Sequence, residues 1–179
     1  MFESVAPTPA DVRRALPGDD LVPDADVVMD RAFDLDAAPE TVWPWFVQLG
    51  KRRAGWYLPR SVERLVPPGR RALRRLDQDL LGLRVGDVIP DWGGREASFE
   101  VALMEPPHLL VHTTVRGHTR GSWAIVLEPT DLGRAQGTHV QLRLRLAPVR
   151  HPRVADALGG FLDRATVAGL AAGLRERVG

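Results

Sequence analysis

The candidates for proton transfer in this sequence are Asp91, His112 and Tyr57. Asp91 precedes Trp92 at the end of a short apolar run. Burial of a carboxyl group against an indole favours its protonated form, which could act as a general acid on a bound carbonyl compound. The alternative is a solvated aspartate in a turn, because two glycines follow directly after the tryptophan.

A pair of histidines, His108 and His112, raises the question of a metal site. Residues four apart in a strand share one face, so the two imidazoles could bind one ion. No third ligand stands at a suitable spacing, and His118 lies beyond the turn that Gly117 indicates. We therefore predict no metal, and we expect His112 to be hydrogen-bonded at the wall of a cavity.

The common sequence motifs of cofactor-binding and hydrolytic sites are missing from the sequence. It contains no glycine-rich dinucleotide fingerprint, no phosphate-binding loop, no serine-hydrolase elbow and no zinc-binding helix with paired histidines. We therefore expect no cofactor, and any catalysis would be cofactor-free.

The composition of the 179 residues narrows the class further. Lys and Arg number 24 against 23 Asp and Glu, a balance that argues against nucleic acid as a partner. The absence of cysteine excludes disulfides and thiolate metal sites. The start of the chain lacks a signal-peptide pattern, and no charge-free stretch approaches the ~18 residues of a membrane helix. We expect a cytoplasmic protein that is not an integral membrane protein, either a monomer or a homodimer.

The first part of the chain predicts an extension, a strand and two short helices. Thr8, Pro9 and Asp11 form a helix-start signature, and a short helix to about Leu16 should follow within an N-terminal extension over residues 1–26. Residues 27–35 alternate in polarity, which predicts a half-buried first strand. Apolar residues at helical spacing, each set followed by a helix breaker, predict the two short helices, which are residues 39–49 and 60–66.

The rest of the chain predicts an antiparallel sheet covered by a helix. Period-two alternation indicates strands over residues 85–89, 99–104, 109–115, 123–128 and 140–146. Consecutive strands joined by turns imply a meander. Arg143 and Arg145 alternate with leucines, and we expect them on a solvated outer face. Residues 152–178 carry a broad apolar stripe at helical spacing, which predicts a long C-terminal helix over the inner face.

Four glycines interrupt this predicted helix, namely Gly159, Gly160, Gly169 and Gly173. Each is roughly 1 kcal/mol less favourable than alanine in a helix interior. One interpretation is that the missing side chains leave room for a ligand or permit a close approach to the sheet. The other is a kink or break near Gly159 and Gly160. If glycine leaves room for a ligand, Gly160→Leu or Gly169→Leu should shrink the ligand capacity.

Four segments resemble bacterial START-like (SRPBCC) proteins of the polyketide cyclase/dehydratase-like subgroup. They are residues 37–50 (AAPETVWPWFVQLG), 54–57 (AGWY), 85–90 (VGDVIP) and 122–129 (SWAIVLEP). The resemblance covers roughly residues 27–178, which would form one START-like ligand-binding domain after the extension over residues 1–26. It implies an α+β helix-grip fold. In that fold a curved antiparallel sheet of six or seven strands wraps around a long C-terminal helix, with two short helices after strand 1.

The resemblance further implies a deep, mostly apolar cavity between the sheet and the C-terminal helix. Trp56, Tyr57 and Trp92 lie in connecting segments, and we expect them at its mouth. Trp43 and Trp123 could instead belong to the core. The side chains expected to line the cavity are Trp43, Phe46, Trp56, Tyr57, Trp92, Phe99, Val101, His112, Trp123, Ile125, Leu142, Leu144, Leu158, Phe161, Leu162 and Ala165.

Three functions stay open, because a fold alone does not choose among them. The first is binding of a hydrophobic small molecule such as a lipid or a polyketide. The second is a cofactor-free aromatase/cyclase-type enzyme acting on a polyketide-like substrate, with Asp91, His112 or Tyr57 moving protons. The third is a protein-interaction module with a collapsed pocket. Native mass spectrometry should discriminate among them, since a bound lipid favours the first, a conjugated aromatic product the second and no bound molecule the third. The cavity volume is also informative, because a typical ligand does not fit below ~300 Å³.

Overall fold

The computed structural model of the chain describes residues 4–92, 97–131, 136–150 and 160–179, with side chains in the last range described from residue 163 onward. The helices are α1 (Pro9–Arg13), α2 (Pro39–Gln48), α3 (Arg60–Glu63) and α4 (Gly160–Val178). The strands are β1 (Val27–Leu35), β2 (Val88–Pro90), β3 (Ser98–Glu105), β4 (Leu109–Arg116), β5 (Thr119–Asp131) and β6 (Gln136–Ala147). Short 3₁₀ turns occupy Asp19–Leu21, Pro68–Arg70 and Gln78–Leu80.

The described strands form one six-stranded sheet in the order β1-β6-β5-β4-β3-β2, and every neighbouring pair is antiparallel. Strands β1 and β2 are therefore its edges. Helix α4 contacts β1, and α2 contacts β5, β6 and α4, so both helices lie on one face of the curved sheet. This arrangement confirms the predicted α+β helix-grip fold, with six strands and two short helices after the first strand.

Strand β3 departs from the alternation that its sequence predicts. Simple alternation would place Phe99, Val101 and Leu103 on one face. Val101 pairs with His112 and Leu103 with Val111, however, so one extra residue is inserted between these pairs. Leu103 is accordingly exposed, whereas Met104 packs against the core. A β-bulge of this kind reverses the faces of all residues that follow it, and the prediction is wrong beyond Val101.

Helix α4 approaches the segment after α2 so closely that only glycine fits. A Cβ atom built on Gly173 would lie 2.6 Å from the backbone nitrogen of Leu58, and one on Gly169 would lie 2.8 Å from the Leu58 side chain. Both glycines therefore serve close packing, and neither lines the cavity described below. The interpretation that Gly169 leaves room for a ligand is therefore wrong, and with it the reason for expecting Gly169→Leu to shrink the ligand capacity. Gly159 and the side-chain environment of Gly160 lie outside the described residues.

The N-terminal segment, residues 4–26, covers part of the outer face of the sheet. Helix α1 has the predicted capping box between Thr8 and Asp11, but it ends at Arg13 rather than near Leu16. Leu21 packs against a separate apolar cluster of the sheet, which consists of Leu109, Val111 and Ala124.

Arg143 lies beneath this segment with only 4% of its surface exposed, so the prediction of a solvated outer face is wrong at this residue. Arg145 is also partly covered, since it donates hydrogen bonds to the carbonyl oxygens of Val22 and Pro23 at 2.9 and 2.8 Å. The alternation identified the outer face correctly, but it carries no information about what covers that face.

Candidate functional site

A cavity of about 250 Å³ lies between the sheet, α2, α4 and the segment after β2. Its wall is mostly apolar and aromatic. The lining residues are Phe46, Leu49, Gly50, Trp56, Ile89, Pro90, Asp91, Trp92, Phe99, His112, Trp123, Ile125, Leu144, Asp163, Thr166 and Val167. The cavity lies where the resemblance placed it, between the sheet and the C-terminal helix.

Nine of the predicted site residues meet at this cavity. They are Phe46, Trp56, Asp91, Trp92, Phe99, His112, Trp123, Ile125 and Leu144. Their binding role stays a prediction, but their convergence from α2, four strands and two connecting segments is a property of the fold.

Several predicted lining residues do not reach the cavity. Trp43, Val101 and Leu142 are buried in the hydrophobic core instead, and so is Tyr57. Ala165 is exposed on α4. Leu158 and the side chains of Phe161 and Leu162 lie outside the described residues.

The stripe predicted on α4 matches the buried face of the helix only in part, and the α4 residues that line the cavity were not predicted. Of the predicted stripe, Ala165 is exposed and Ala168 is buried. The other buried side chains are Val167, Leu170, Ala171 and Leu174. The pair Leu170 and Leu174 was the available signal, since two leucines four apart mark the core-facing side better than alanines do. Asp163, Thr166 and Val167 enter the cavity wall from this helix.

Three aromatic rings form a stacked column along the wall, with Trp123 in the middle. The His112 ring lies 5.6 Å from Trp123 and the Trp56 ring 6.3 Å from it, each at an interplanar angle of 26°. Phe99 contacts His112 and Trp123 at 5.9 Å. Trp92 meets Trp56 edge-on at 6.0 Å and is half exposed, so it lies at the opening of the cavity. Such walls favour flat ligands that stack or meet the rings edge to face.

His112 is the most buried polar side chain of the wall, at 4% exposure. Burial lowers its pKa to about 4; a backbone hydrogen bond with Trp123 acts in the opposite direction, and the charge of Arg53 lowers it further. The imidazole is therefore neutral near pH 7. Its Nδ1 atom is buried and has no hydrogen-bond partner among the residues that the structure describes.

Asp91 is buried and not the solvated turn residue that was one of the two alternatives. The carboxylate is buried and forms an ion pair with Arg116. Its Oδ1 also accepts a hydrogen bond from the backbone N–H of Trp92 at 2.6 Å, and Lys51 donates to its backbone carbonyl at 2.7 Å. Because the guanidinium and the N–H both bond to the charged form, the arrangement gives Asp91 a structural role at the cavity wall.

Asp163, on the other side of the wall, is also paired. Its Oδ2 lies 2.9 Å from Nε of Arg31 on β1, so the ion pair ties α4 to the edge strand. Burial raises the pKa of Asp163, and the charge of Arg31 acts in the opposite direction.

Tyr57 is a core residue and not part of the cavity mouth. Its hydroxyl donates to the carbonyl oxygen of Trp45 at 2.8 Å and accepts from Nε2 of Gln48 at 3.1 Å. The Arg177 guanidinium lies 4.6 Å from the ring centroid. Burial raises the pKa of the hydroxyl well above its usual range, which removes it from proton transfer near pH 7.

Replacing Tyr57 by phenylalanine should lower the free energy of unfolding by about 2 kcal/mol, because the buried carbonyl of Trp45 loses its donor. Urea unfolding of the wild type and of Tyr57→Phe measures this difference. An unchanged unfolding midpoint would contradict the buried hydrogen bonds of this hydroxyl.

Two structural features bear on partners. Among the described residues, no three His, Asp or Glu side chains come together in a way that could hold a metal ion. Within the same residues, no helix has both the length and the apolar character needed to cross a membrane.

Comparison with known proteins identifies the fold. CalU16 from Micromonospora echinospora superimposes with a TM-score of 0.52 at 18% identity, covering 84% of this chain and 75% of that one. A structural-genomics protein from Rhodobacter sphaeroides superimposes with a TM-score of 0.53 at 17% identity, covering 86% and 92%. No family model and no curated protein matches the sequence. At these identities the likeness shows the fold alone, and the chain shares the fold of these two structures.

Proposed function

We propose that this protein binds a compact hydrophobic small molecule in the cavity between the sheet and α4. The observation that supports this is the cavity itself, about 250 Å³ with a wall of aromatic and aliphatic side chains. Ligand pockets in proteins have this character, a concave apolar wall with a small number of polar groups.

The volume restricts the size of the ligand. It lies below the ~300 Å³ at which pockets for drug-sized molecules begin. A dry cavity of roughly 150 Å³ accepts benzene, so about 250 Å³ has room for one or two fused rings. A long acyl chain or a multi-ring polyketide exceeds this space, and the proposal is narrower than the sequence alone suggested.

The geometry favours binding over the other two functions. Tyr57 is bonded inside the core, and of the two members of the predicted proton-transfer set at the wall, Asp91 is held in an ion pair by Arg116. A collapsed pocket, as the interaction module requires, does not agree with a cavity of this volume. Cytoplasmic location and assembly as a monomer or a homodimer stay predictions.

Filling the cavity tests the proposal. Val167 lines the cavity from α4, and phenylalanine at this position would occupy part of its space. We expect Val167→Phe to bind naphthalene at least about tenfold more weakly than the wild type, equivalent to about 1.4 kcal/mol. Ala165→Phe is the matched control, because Ala165 is exposed on the same helix and should leave the affinity unchanged.

Calorimetry gives the affinities, and the indole N–H resonances of Trp56, Trp92 and Trp123 report whether naphthalene lies in the cavity. Thermal unfolding verifies that both variants are folded. A wild type that does not bind naphthalene, or a folded Val167→Phe that binds it equally well, would remove the proposal.

A further inference from the structure

The unpartnered Nδ1 atom of His112 is the feature of the cavity that the binding of a purely hydrophobic molecule does not explain. Buried polar side-chain atoms in native proteins have a hydrogen-bond partner in the large majority of cases, because leaving one unpaired costs about 1–3 kcal/mol. His112 is 4% exposed and its ring lines the cavity, yet no described residue bonds to this nitrogen.

The other charged groups of the wall are already engaged. Asp91 pairs with Arg116, and Asp163 pairs with Arg31. Outside these two ion pairs, Nδ1 of His112 is the buried side-chain atom of the wall that lacks a hydrogen-bond partner among the described residues.

We propose that the ligand is a compact neutral aromatic compound carrying a hydroxyl group, and that this hydroxyl forms a hydrogen bond with Nδ1 of His112. The inference rests on the proposed function and names the ligand class of the same cavity. The stacked rings of Trp56, Trp123 and His112 suit a flat ring.

A hydroxyl suits this position because it can donate to the nitrogen or accept from it, and a neutral imidazole offers one nitrogen of each kind. The low pKa of His112, about 4, agrees with this choice, since the ring is uncharged at neutral pH. A neutral partner then gains a hydrogen bond without burying a net charge.

The test compares 2-naphthol with naphthalene, which differ only in the hydroxyl group. We expect the wild type to bind 2-naphthol on the order of tenfold more tightly than naphthalene, as one buried hydrogen bond would give. In His112→Phe this preference should disappear, while naphthalene binds within about threefold of the wild type. His108→Phe is the matched control, since it makes the same exchange at an exposed histidine outside the cavity wall and should keep the preference.

The outcomes separate the two proposals. Failure of the wild type to bind either compound would overturn both. Naphthalene binding without a preference for 2-naphthol, or a preference that persists in His112→Phe, would overturn the hydrogen bond alone. If His112→Phe does not fold, the ¹⁵N chemical shift of His112 Nδ1 in the wild type decides. It should move on addition of 2-naphthol and not on addition of naphthalene, and equal shifts would refute the inference.

Discussion

Replacing Arg143 by methionine is expected to destabilise the protein by about 3–5 kcal/mol, the effect of removing one partner from a buried ion pair. The guanidinium joins β6 to the N-terminal segment and to β1. Its Nε donates to Oδ1 of Asp30 at 2.8 Å, and its Nη1 donates to Oδ2 of Asp19 at 2.9 Å. It also donates to three backbone carbonyls, those of Asp11, Val12 and Arg14, at 2.9–3.2 Å.

The size of this effect follows from what the substitution leaves behind. Asp30 is 8% exposed, and without Arg143 its carboxylate keeps one weaker contact, from Nε2 of Gln141 at 3.2 Å. An uncompensated buried charge is costly, and so are the carbonyls of Val12 and Arg14 without this donor. The carbonyl of Asp11 keeps a hydrogen bond from Nε2 of Gln141 at 2.8 Å. Methionine is long and apolar, so it preserves packing, and the loss reports on the polar contacts.

Arg120→Met is the matched control, because Arg120 is exposed on the neighbouring strand β5 and a surface change there should stay within about 0.5 kcal/mol. Urea unfolding gives both differences. Limited proteolysis gives a second measurement, since residues 4–26 should be cleaved faster in Arg143→Met than in Arg120→Met. Equal stability of the two variants would show that the N-terminal segment is held by its apolar contacts and not by Arg143.

Local signals in the sequence predicted the elements well, and the reason is that each signal acts over a few residues. The bounds of β1 and the Thr8–Asp11 capping box were predicted correctly because alternation and capping depend on neighbouring residues alone. The bulge in β3 was missed, since alternation continues through it in the sequence and only the pairing with β4 reveals the shift.

The burial of Arg143 could not be predicted for a different reason. Its partners lie 113 to 132 positions away along the chain, and no periodicity links β6 to the N-terminal segment.

The cavity residues also differ in whether local signals or distant contacts decide their position. The aromatic residues of the cavity were predicted because large rings at the ends of elements face the interior of this fold. Tyr57 was wrongly predicted at the cavity mouth, because its hydrogen bonds with Trp45 and Gln48 are set by tertiary packing.

Acidification from pH 7 to pH 4 should destabilise the wild type by about 3 kcal/mol through His112 alone. In the unfolded chain this imidazole takes up a proton as the pH falls below its ordinary value of 6.5, whereas in the fold its pKa is about 4. Between these two values the unfolded state binds more protons than the native state does. The stability contribution is therefore fully present above pH 6.5 and is lost progressively as the pH falls toward 4.

The variant His112→Phe isolates this contribution, because its ring cannot be protonated and can stack on Trp123 in the same place. Its free energy of unfolding should fall by about 3 kcal/mol less than that of the wild type between pH 7 and pH 4. Carboxylates with lowered pKa, such as Asp11 and Glu176, also lose stabilisation in acid, but they do so in both proteins and cancel in the comparison. Parallel pH profiles for the two proteins would mean that His112 has the same pKa in the folded and unfolded states, and the lowering of its pKa by burial would be refuted.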